Sequence, residues 1–163
     1  MRTSKLDIKL LYVRETDAPF LSVLMNDKAI IDALKEVPTK PEDWAEAISF
    51  WENDPDEEDY IIFDGDIPIG WLGINGLLDK TAYIKMLAIL PPFQNKGVGS
   101  YVVNLCVENL KSRKFEKVVL YTDKSNLRAQ KCYEKCGFQV TEELTETMSN
   151  GEAVLRYKME LRF

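Results

Sequence analysis

The sequence contains no histidine, and it has only three cysteines among 163 residues. Without an imidazole the chain lacks the side chain that most often acts as a general base near neutral pH and most often binds zinc. Cys132 and Cys136 are four residues apart and Cys106 stands alone. An odd number of thiols without a recognisable secretion signal is typical of reduced cysteines. We therefore expect no metal site and no structural disulfide.

Long apolar runs are also missing. No run approaches the roughly 20 residues that a membrane-spanning helix needs, and the residues after Met1 lack the apolar stretch of a secretion signal. No internal repeat or low-complexity linker interrupts the chain, whose length suits one domain with a sizeable core. These features predict a single domain over residues 1–163 that is located in the cytoplasm and has no membrane partner.

Positive charge is scarce relative to negative charge, since the formal net charge is −6. This balance disfavours nucleic acid as a partner and favours cationic ones. Acidic residues crowd between positions 52 and 59, where they either steer a cationic ligand or form a solvated loop. Trp44, Trp51 and Trp71 are candidates for lining a pocket, although the helical spacing of the first two also fits core packing.

Hydrophobic periodicity predicts an alternation of strands and helices. The predicted strands are 6–10, 60–63, 67–74, 82–90, 118–121, 138–148 and 152–161. Two short helices are predicted within 17–34, and longer ones begin at Pro41, cover 98–112 and cover 126–135. Gly137 fits the position that ends the last helix. The pattern is that of an α+β protein.

The most informative stretch runs from residue 83 to residue 99, where a strand, a turn and a helix start follow one another. Pro91 and Pro92 end the strand because proline lacks the N–H group that a sheet requires. Gly97 and Gly99 precede a helix whose first N–H groups have no intrahelical partner and carry partial positive charge. This order predicts an anion site, although glycines at such a place also serve close helix–strand packing.

Two linked motifs resemble those of the GNAT-type N-acetyltransferases. Residues 94–99, QNKGVG, fit the signature Q/R-x-x-G-x-G/A, and residues 126–138 fit N-x-x-A-x-x-x-Y-x-x-x-G-F at every fixed position. The resemblance covers residues 83–138. It implies a mixed, mainly antiparallel twisted sheet of about six to seven strands with helices on both faces, and it implies acetyl-CoA as co-substrate without a metal.

The resemblance also implies where the coenzyme binds. In this family the coenzyme lies where two parallel strands separate beside a bulge, and the pantetheine arm follows the central strand. Mapped here, that strand segment is Leu87, Ala88 and Ile89, with backbone groups of Leu87 and Ile89 facing the arm. The pyrophosphate would lie on the loop formed by Gln94, Asn95, Lys96, Gly97, Val98, Gly99 and Ser100. Asn126 would contact the arm, and Tyr133 would protonate the departing thiolate.

The general base stays open. A primary amine with a pKa of about 10.4 is mostly protonated at pH 7 and has to lose a proton before it reacts. One branch of the family has a glutamate five residues before the motif asparagine, where this chain has Tyr121. Asp123 shares the face of Tyr121 if the strand extends that far, and Lys85 stands where some relatives carry an acid. Tyr121 and Asp123 are the catalytic candidates, and each also fits a structural role.

The main hypothesis is direct transfer of an acetyl group from acetyl-CoA to the amine of a small cationic molecule or of a peptide. A covalent route through Cys132 or Cys136 is disfavoured because neither thiol has an evident activator. Two alternatives are a coenzyme-binding regulatory module without turnover and a transferase that uses another acyl-CoA. The sequence leaves the acceptor open, as well as the choice between a monomer and a homodimer.

Overall fold

The computed structural model describes residues 6–163, and one seven-stranded sheet forms its centre. The strands are β1 (Ile8–Tyr12), β2 (Glu57–Asp64), β3 (Ile67–Asn75), β4 (Thr81–Ile89), β5 (Lys117–Asp123), β6 (Gln139–Thr147) and β7 (Ala153–Arg162). Their spatial order is β1-β2-β3-β4-β5-β7-β6, and all neighbours are antiparallel except the parallel pair β4 and β5. The predicted mixed, mainly antiparallel sheet is confirmed.

Within residues 6–163, five α-helices accompany the sheet. They are α1 (Ala18–Asn26), α2 (Lys28–Leu34), α3 (Pro41–Glu52), α4 (Val98–Ser112) and α5 (Leu127–Lys135). No helix within residues 6–163 is long and apolar enough to cross a membrane. The prediction about a secretion signal concerns the first residues of the chain, and residues 1–5 lie outside the described part.

The helix boundaries follow local capping signals. The Asp27 carboxylate accepts a hydrogen bond from the Ile30 N–H group and separates α1 from α2. The Asn126 carboxamide oxygen accepts a hydrogen bond from the Ala129 N–H group at 3.1 Å, so Asn126 is the N-cap of α5 rather than its first helical residue. Gly137 has a φ of +102° directly after the C-cap of α5, as predicted for a helix terminator.

The helices cover both faces of the sheet, which confirms the expectation from the resemblance. On one face α1–α3 pack against Ile61, Trp71 and Ala88 of the sheet. On the other face α4 packs against Leu72 and Ile84, and residues of α5 join the edge of that core. Strand β4 is therefore covered by a core on each face, and within residues 6–163 its edge beyond the β5 pairing has no strand partner.

The acidic run at 52–59 is not a free solvated loop. Glu57, Glu58 and Asp59 belong to β2, and Glu58 accepts a hydrogen bond from the Arg113 guanidinium at 2.9 Å. The Asp56 carboxylate accepts hydrogen bonds from the backbone N–H groups of Gly76 and Leu78. The second half of the run therefore stabilises the fold through specific partners.

The three tryptophans pack against one another. The rings of Trp51 and Trp71 are stacked with centroids 5.2 Å apart, and Trp44 meets Trp71 edge-on at 5.5 Å. The core interpretation therefore holds for this cluster, which joins α3 to β3. Trp51 additionally lines a small second cavity between α3, β1 and β2.

Candidate active site

The candidate site begins where β4 and β5 separate. The two strands pair only from Thr81 to Ile84 and from Lys117 to Leu120. The register between β3 and β4 shifts at the same level, because Gly73 pairs with Met86 and Ile74 pairs with Ile84. Lys85 is therefore an extra residue on β4, and such a β-bulge bends the strand. The cleft opens at this bulge.

The open edge of β4 presents the backbone groups of alternate residues. The Leu90 N–H group donates to the Ile69 carbonyl on β3 at 2.8 Å. Since backbone groups of successive residues point to opposite edges of a strand, those of Ala88 face β3 and those of Leu87 and Ile89 face the cleft. The Gln94 side chain donates to the Ile89 carbonyl at 2.7 Å. Gln94 thus secures the end of β4 and occupies one of the backbone groups that the resemblance assigned to the coenzyme.

The glycine loop forms an open cradle at the start of α4. Gly97 has a φ of +80°, and a Cβ atom built there would meet no atom within 4 Å. At Gly99 the nearest atom to such a Cβ would be Ile89 Cδ1 at 3.9 Å, which is an ordinary contact. Close packing of the protein itself therefore does not explain the missing side chains. The absence of side chains at Gly97 and Gly99 leaves open the space in front of the first N–H groups of α4.

The other residues of the loop have structural partners of their own. Asn95 also adopts a left-handed conformation with a φ of +61°. Val98 is buried in the core beneath α4. The Lys96 ammonium lies 5.9 Å from the centroid of the Phe93 ring, and Ser100 Oγ lies 3.1 Å from Cys132 Sγ on α5. The loop is thus fixed from both sides, while the N–H groups of residues 98–100 precede the first intrahelical bond, from Tyr101 to Gly97.

Tyr133 of α5 lines the cleft of about 370 Å³ between β4 and β5. Its ring packs edge-on against Phe138 with centroids 6.2 Å apart. Burial, followed by the proximity of Cys132 and Cys136, raises the pKa of Tyr133 to about 12. The phenol therefore carries its proton at neutral pH. Asn126 lines the same cleft, although its carboxamide oxygen is used for capping α5.

Asp123 of β5 also lines the cleft and belongs to an ionic network. Its Oδ2 atom is 3.6 Å from Lys35 Nζ, and its Oδ1 atom is 3.6 Å from Arg156 Nε. Arg156 also donates to Glu146 at 3.1 Å. Strand β5 extends two residues beyond the predicted end, so Tyr121 and Asp123 do share one face and both line the cleft. The carboxylate of Asp123 is nevertheless held by two cations.

Several cleft residues were missed by sequence reasoning. The end of α2 and the loop between β6 and β7 meet over the cleft, where the Asn150 N–H group donates to the Lys35 carbonyl at 3.0 Å. These segments bring Glu36 and Met148 to the cleft, and Arg156 of β7 also lines it. None of the acidic residues 52–59 lines this cleft, whereas the second cavity is lined by Glu52, Asp54, Glu57, Glu58 and Asp59. No sequence signal links these segments, because they are far apart along the chain.

A parallel strand pair that opens at a bulge, within a mainly antiparallel sheet that has helices on both faces, is the fold that the resemblance to the acetyltransferases implies. The profile of the acetyltransferase (GNAT) family matches residues 26–138. The chain belongs to this family, which confirms the resemblance carried by the two motifs.

Among individual relatives, N-alpha-acetyltransferase 30 of Xenopus laevis is 34% identical over 83 residues, which cover 51% of this chain and 30% of that protein. Mycothiol acetyltransferase of Corynebacterium efficiens is 28% identical over 81 residues, covering 50% of this chain and 27% of the relative. The matches thus span less than a third of either relative.

Solved structures match over nearly the whole chain. Spermidine N-acetyltransferase from Vibrio cholerae, in complex with CoA and spermine, superposes with a TM-score of 0.84 at 22% identity and covers 95% of both chains. An acetyltransferase from Thermus thermophilus gives a TM-score of 0.77 at 19% identity, covering 96% of this chain and 98% of the other. At these identities the likeness concerns the fold.

Proposed function

We propose that this chain transfers an acetyl group directly from acetyl-CoA to a primary amine. The observation that carries the proposal is the cleft itself, in which an unpaired edge of β4 leads from the bulge to the glycine cradle at α4. Family membership supports the chemistry, and the CoA-containing relative supports the coenzyme. Cytoplasmic location, the single domain over 1–163 and the choice between monomer and homodimer stay predictions.

The residues of this chain fit the proposed coenzyme in two places. The N–H groups of Val98, Gly99 and Ser100 would hold the pyrophosphate, since the cradle in front of them is open and the helix dipole favours an anion there. The cleft-facing backbone groups of Leu87 would meet the pantetheine arm as a neighbouring strand would. When bound, the coenzyme supplies an acetyl thioester for attack by the amine and leaves as a thiol.

The N–H group of Leu87 or Ile89 is suited to meet negative charge on the acetyl oxygen. Both N–H groups face the cleft just beyond the bulge, and the β4–β5 pairing that would occupy them ends at Ile84. A fixed donor in a partly dry site stabilises developing charge more than water does, because it needs no reorientation during the reaction. The rigid position of β4 between two cores provides that fixation.

Tyr133 is proposed to hold a proton next to the sulfur. Full transfer from a phenol with a pKa of about 12 to a thiolate whose thiol has a pKa of about 8.5 would be uphill by roughly 5 kcal/mol. The phenol therefore serves better as a hydrogen-bond donor to sulfur than as a complete proton source. This modifies the role of general acid that the resemblance implies.

Two carboxyl groups of the cleft compete for the role of base. Asp123 is engaged by Lys35 and Arg156. Glu36 also lines the cleft, and within residues 6–163 its carboxylate makes neither an ion pair nor a hydrogen bond. A carboxylate without a cationic partner is the better acceptor of a proton from an ammonium group, directly or through water. We therefore propose Glu36 rather than Asp123 or Tyr121 as the base.

The acceptor is proposed to be an amine of modest basicity, such as the α-amino group of a peptide. Deprotonation at pH 7 costs about 1 kcal/mol for an α-amine and about 4.6 kcal/mol for a primary amine with a pKa of 10.4. The acidic residues 52–59, which would attract a polycation, do not line the cleft. The names of the N-alpha-acetyltransferase relatives agree with this choice.

Replacing Tyr133 by phenylalanine tests the proposed function. We expect Tyr133→Phe to lower kcat by about 10–100-fold, because the sulfur loses its hydrogen-bond donor. The affinity for CoA should change little, since the glycine cradle is intact. Release of thiol from acetyl-CoA in the presence of peptide amines measures turnover, and calorimetry measures affinity.

The matched control is Tyr101→Phe, which removes the same hydroxyl from an exposed position on α4. It should leave kcat unchanged. A folded wild-type protein that binds CoA but releases no thiol with any amine would support a regulatory module instead. Faster turnover with a longer acyl-CoA would support the other alternative.

The two carboxylates are distinguished by isosteric amide variants. Glu36→Gln should lower kcat/KM by about 10²-fold or more if Glu36 accepts the proton. Asp123→Asn should lower kcat less than about tenfold but destabilise the fold by about 1–3 kcal/mol, because Arg156 loses a charged partner in a mostly buried place. Steady-state kinetics and urea unfolding of both variants provide the test. The reverse order of the two kinetic effects would assign the base to Asp123.

A further inference from the structure

The bulge of β4 is built around Lys85. This extra residue and the following Met86 both reach the sheet face that α1–α3 cover, since Met86 packs into that core and the Lys85 ammonium lies 4.4 Å from the centroid of the Trp51 ring. Two consecutive residues on one face reverse the alternation of the strand. The bulge therefore decides which backbone groups beyond it face the cleft.

The Lys85 side chain crosses β3 at a glycine. A Cβ atom on Gly73 would lie 2.6 Å from Lys85 Cε and 2.7 Å from Asp59 Oδ1. Such distances do not occur in real structures, so a side chain at position 73 would force Lys85 and Asp59 to shift. Gly73 pairs with Met86 next to the bulge and with Asp59 on the other side. The passage is thus located directly beside the register shift.

The Lys85 ammonium group contacts two carboxyl groups and two indole rings, which together form the ammonium site. Lys85 Nζ contacts Glu57 Oε2 and lies 3.4 Å from Asp59 Oδ1, on side chains that are 10% and 2% exposed. Trp71 Nε1 donates to the same Asp59 oxygen at 2.8 Å. The Trp51 and Trp71 rings face the ammonium, an arrangement that attracts a cation.

The charges of the ammonium site nearly cancel at neutral pH. Burial, followed by the hydrogen bond shared with Glu57, raises the pKa of Asp59 to about 8, and Lys85 opposes this rise. Asp59 is therefore largely protonated at pH 7, which leaves Lys85 and Glu57 as an ion pair. A buried pair of this kind serves to fix a geometry rather than to add much stability.

We propose that Lys85 is a positioning residue, which holds the β4 bulge through Glu57 and Asp59 and thereby aims the Leu87 N–H group into the cleft. This inference rests on the proposed function. The ammonium site connects β2, β3, β4 and, through Trp51, α3. It does so at the β-bulge, where the pairing of β4 with β3 shifts its register. Without the ammonium the extra residue has no anchor on this face, and the strand beyond it is free to change its direction.

The test is Lys85→Met, which keeps most of the length of the side chain and removes the charge. We expect kcat to fall at least about tenfold, because misaligned reacting groups slow the chemical step. The Kd for CoA should change less than kcat does, because the pyrophosphate cradle at Gly97 is intact and only the contacts of the Leu87 backbone with the pantetheine arm are affected. Amide hydrogen exchange over residues 83–90 should become faster at the bulge without faster global exchange.

Lys117→Met is the matched control. Lys117 is also a strand lysine with a 24% exposed side chain, and its ammonium lies 2.9 Å from a Glu160 oxygen. It stands at the closed end of the β4–β5 pair, opposite Thr81. This variant should keep the wild-type kcat and the wild-type exchange over residues 83–90. If both variants lose turnover equally, a general effect of removing a lysine explains the result and the inference fails.

A second variant guards against misfolding of Lys85→Met. Gly73→Ala keeps every charge but occupies the passage of Lys85, and it should reproduce the loss of kcat and the faster exchange. If the wild-type protein is active and both variants keep the wild-type kcat, the inference is overturned while the proposed function stands. If the wild-type protein shows no turnover, the proposed function is wrong. If Lys85→Met also leaves amide hydrogen exchange at the bulge unchanged, the positioning role is wrong as well.

Discussion

Gly97→Glu should weaken the binding of acetyl-CoA by about 100-fold or more, which corresponds to about 2.7 kcal/mol. The substituted side chain would enter the open space in front of the first N–H groups of α4, where the proposed pyrophosphate lies. A carboxylate there competes for the same donors and repels the phosphate charge. Calorimetric titration with acetyl-CoA and with CoA measures the loss, and both ligands should be affected alike.

The control for this variant is Gly65→Glu. Gly65 has a φ of +60° and equally open surroundings, but it lies in the turn between β2 and β3, away from the cleft. Both variants gain the same charge and the same left-handed strain, which costs about 1 kcal/mol or somewhat more. Only Gly97→Glu should lose affinity. Equal losses, or an unchanged Kd in Gly97→Glu, would remove the pyrophosphate from this loop.

Phe138→Ala should lower the free energy of unfolding by about 3–5 kcal/mol. Phe138 is 1% exposed and belongs to the core beneath α4, where its ring supports the ring of Tyr133. Removing it leaves a cavity that the rigid sheet cannot fill by relaxation. Urea unfolding followed by tryptophan fluorescence measures the change, and the loss of support should also reduce turnover through Tyr133.

Phe50→Ala provides the comparison, since Phe50 on α3 is 69% exposed. Its removal should change the free energy of unfolding by no more than about 0.5 kcal/mol. A loss of less than about 1 kcal/mol in Phe138→Ala would mean that the end of the second motif contributes little to the core. The presence of phenylalanine at position 138 of the motif would then need an explanation other than core packing.

The sequence determined the two motif segments because their geometry is local. The glycine loop at 94–99 and the start of α4 depend on proline, left-handed glycine and unpaired helical N–H groups within a dozen residues. The segment 126–138 likewise contains its own cap at Asn126 and its own terminator at Gly137. The fold class and the placement of Tyr133 in the cleft followed from these segments.

The strand boundaries were predicted less well where neighbours decide them. Strand β5 continues to Asp123 because β7 pairs with it up to Arg156. Ala88 was grouped with the coenzyme residues and does line the cleft, but its backbone groups face β3, and the Ile89 carbonyl already accepts a hydrogen bond from Gln94. Hydrophobic periodicity indicates that side chains alternate between the two faces of a sheet. The strand edge toward which the backbone groups of a residue point depends on the partner strand and on the bulge.

Only the tertiary structure decided the charge partners. Asp123 meets Lys35 and Arg156, and Lys85 meets Glu57 and Asp59, over separations that no local pattern encodes. The same holds for Glu36, which α2 brings to the cleft, and for the acidic residues that β2 turns away from it. Local backbone conformation is dictated by neighbouring residues, whereas the environment of a charge is dictated by whatever the folded chain packs against it.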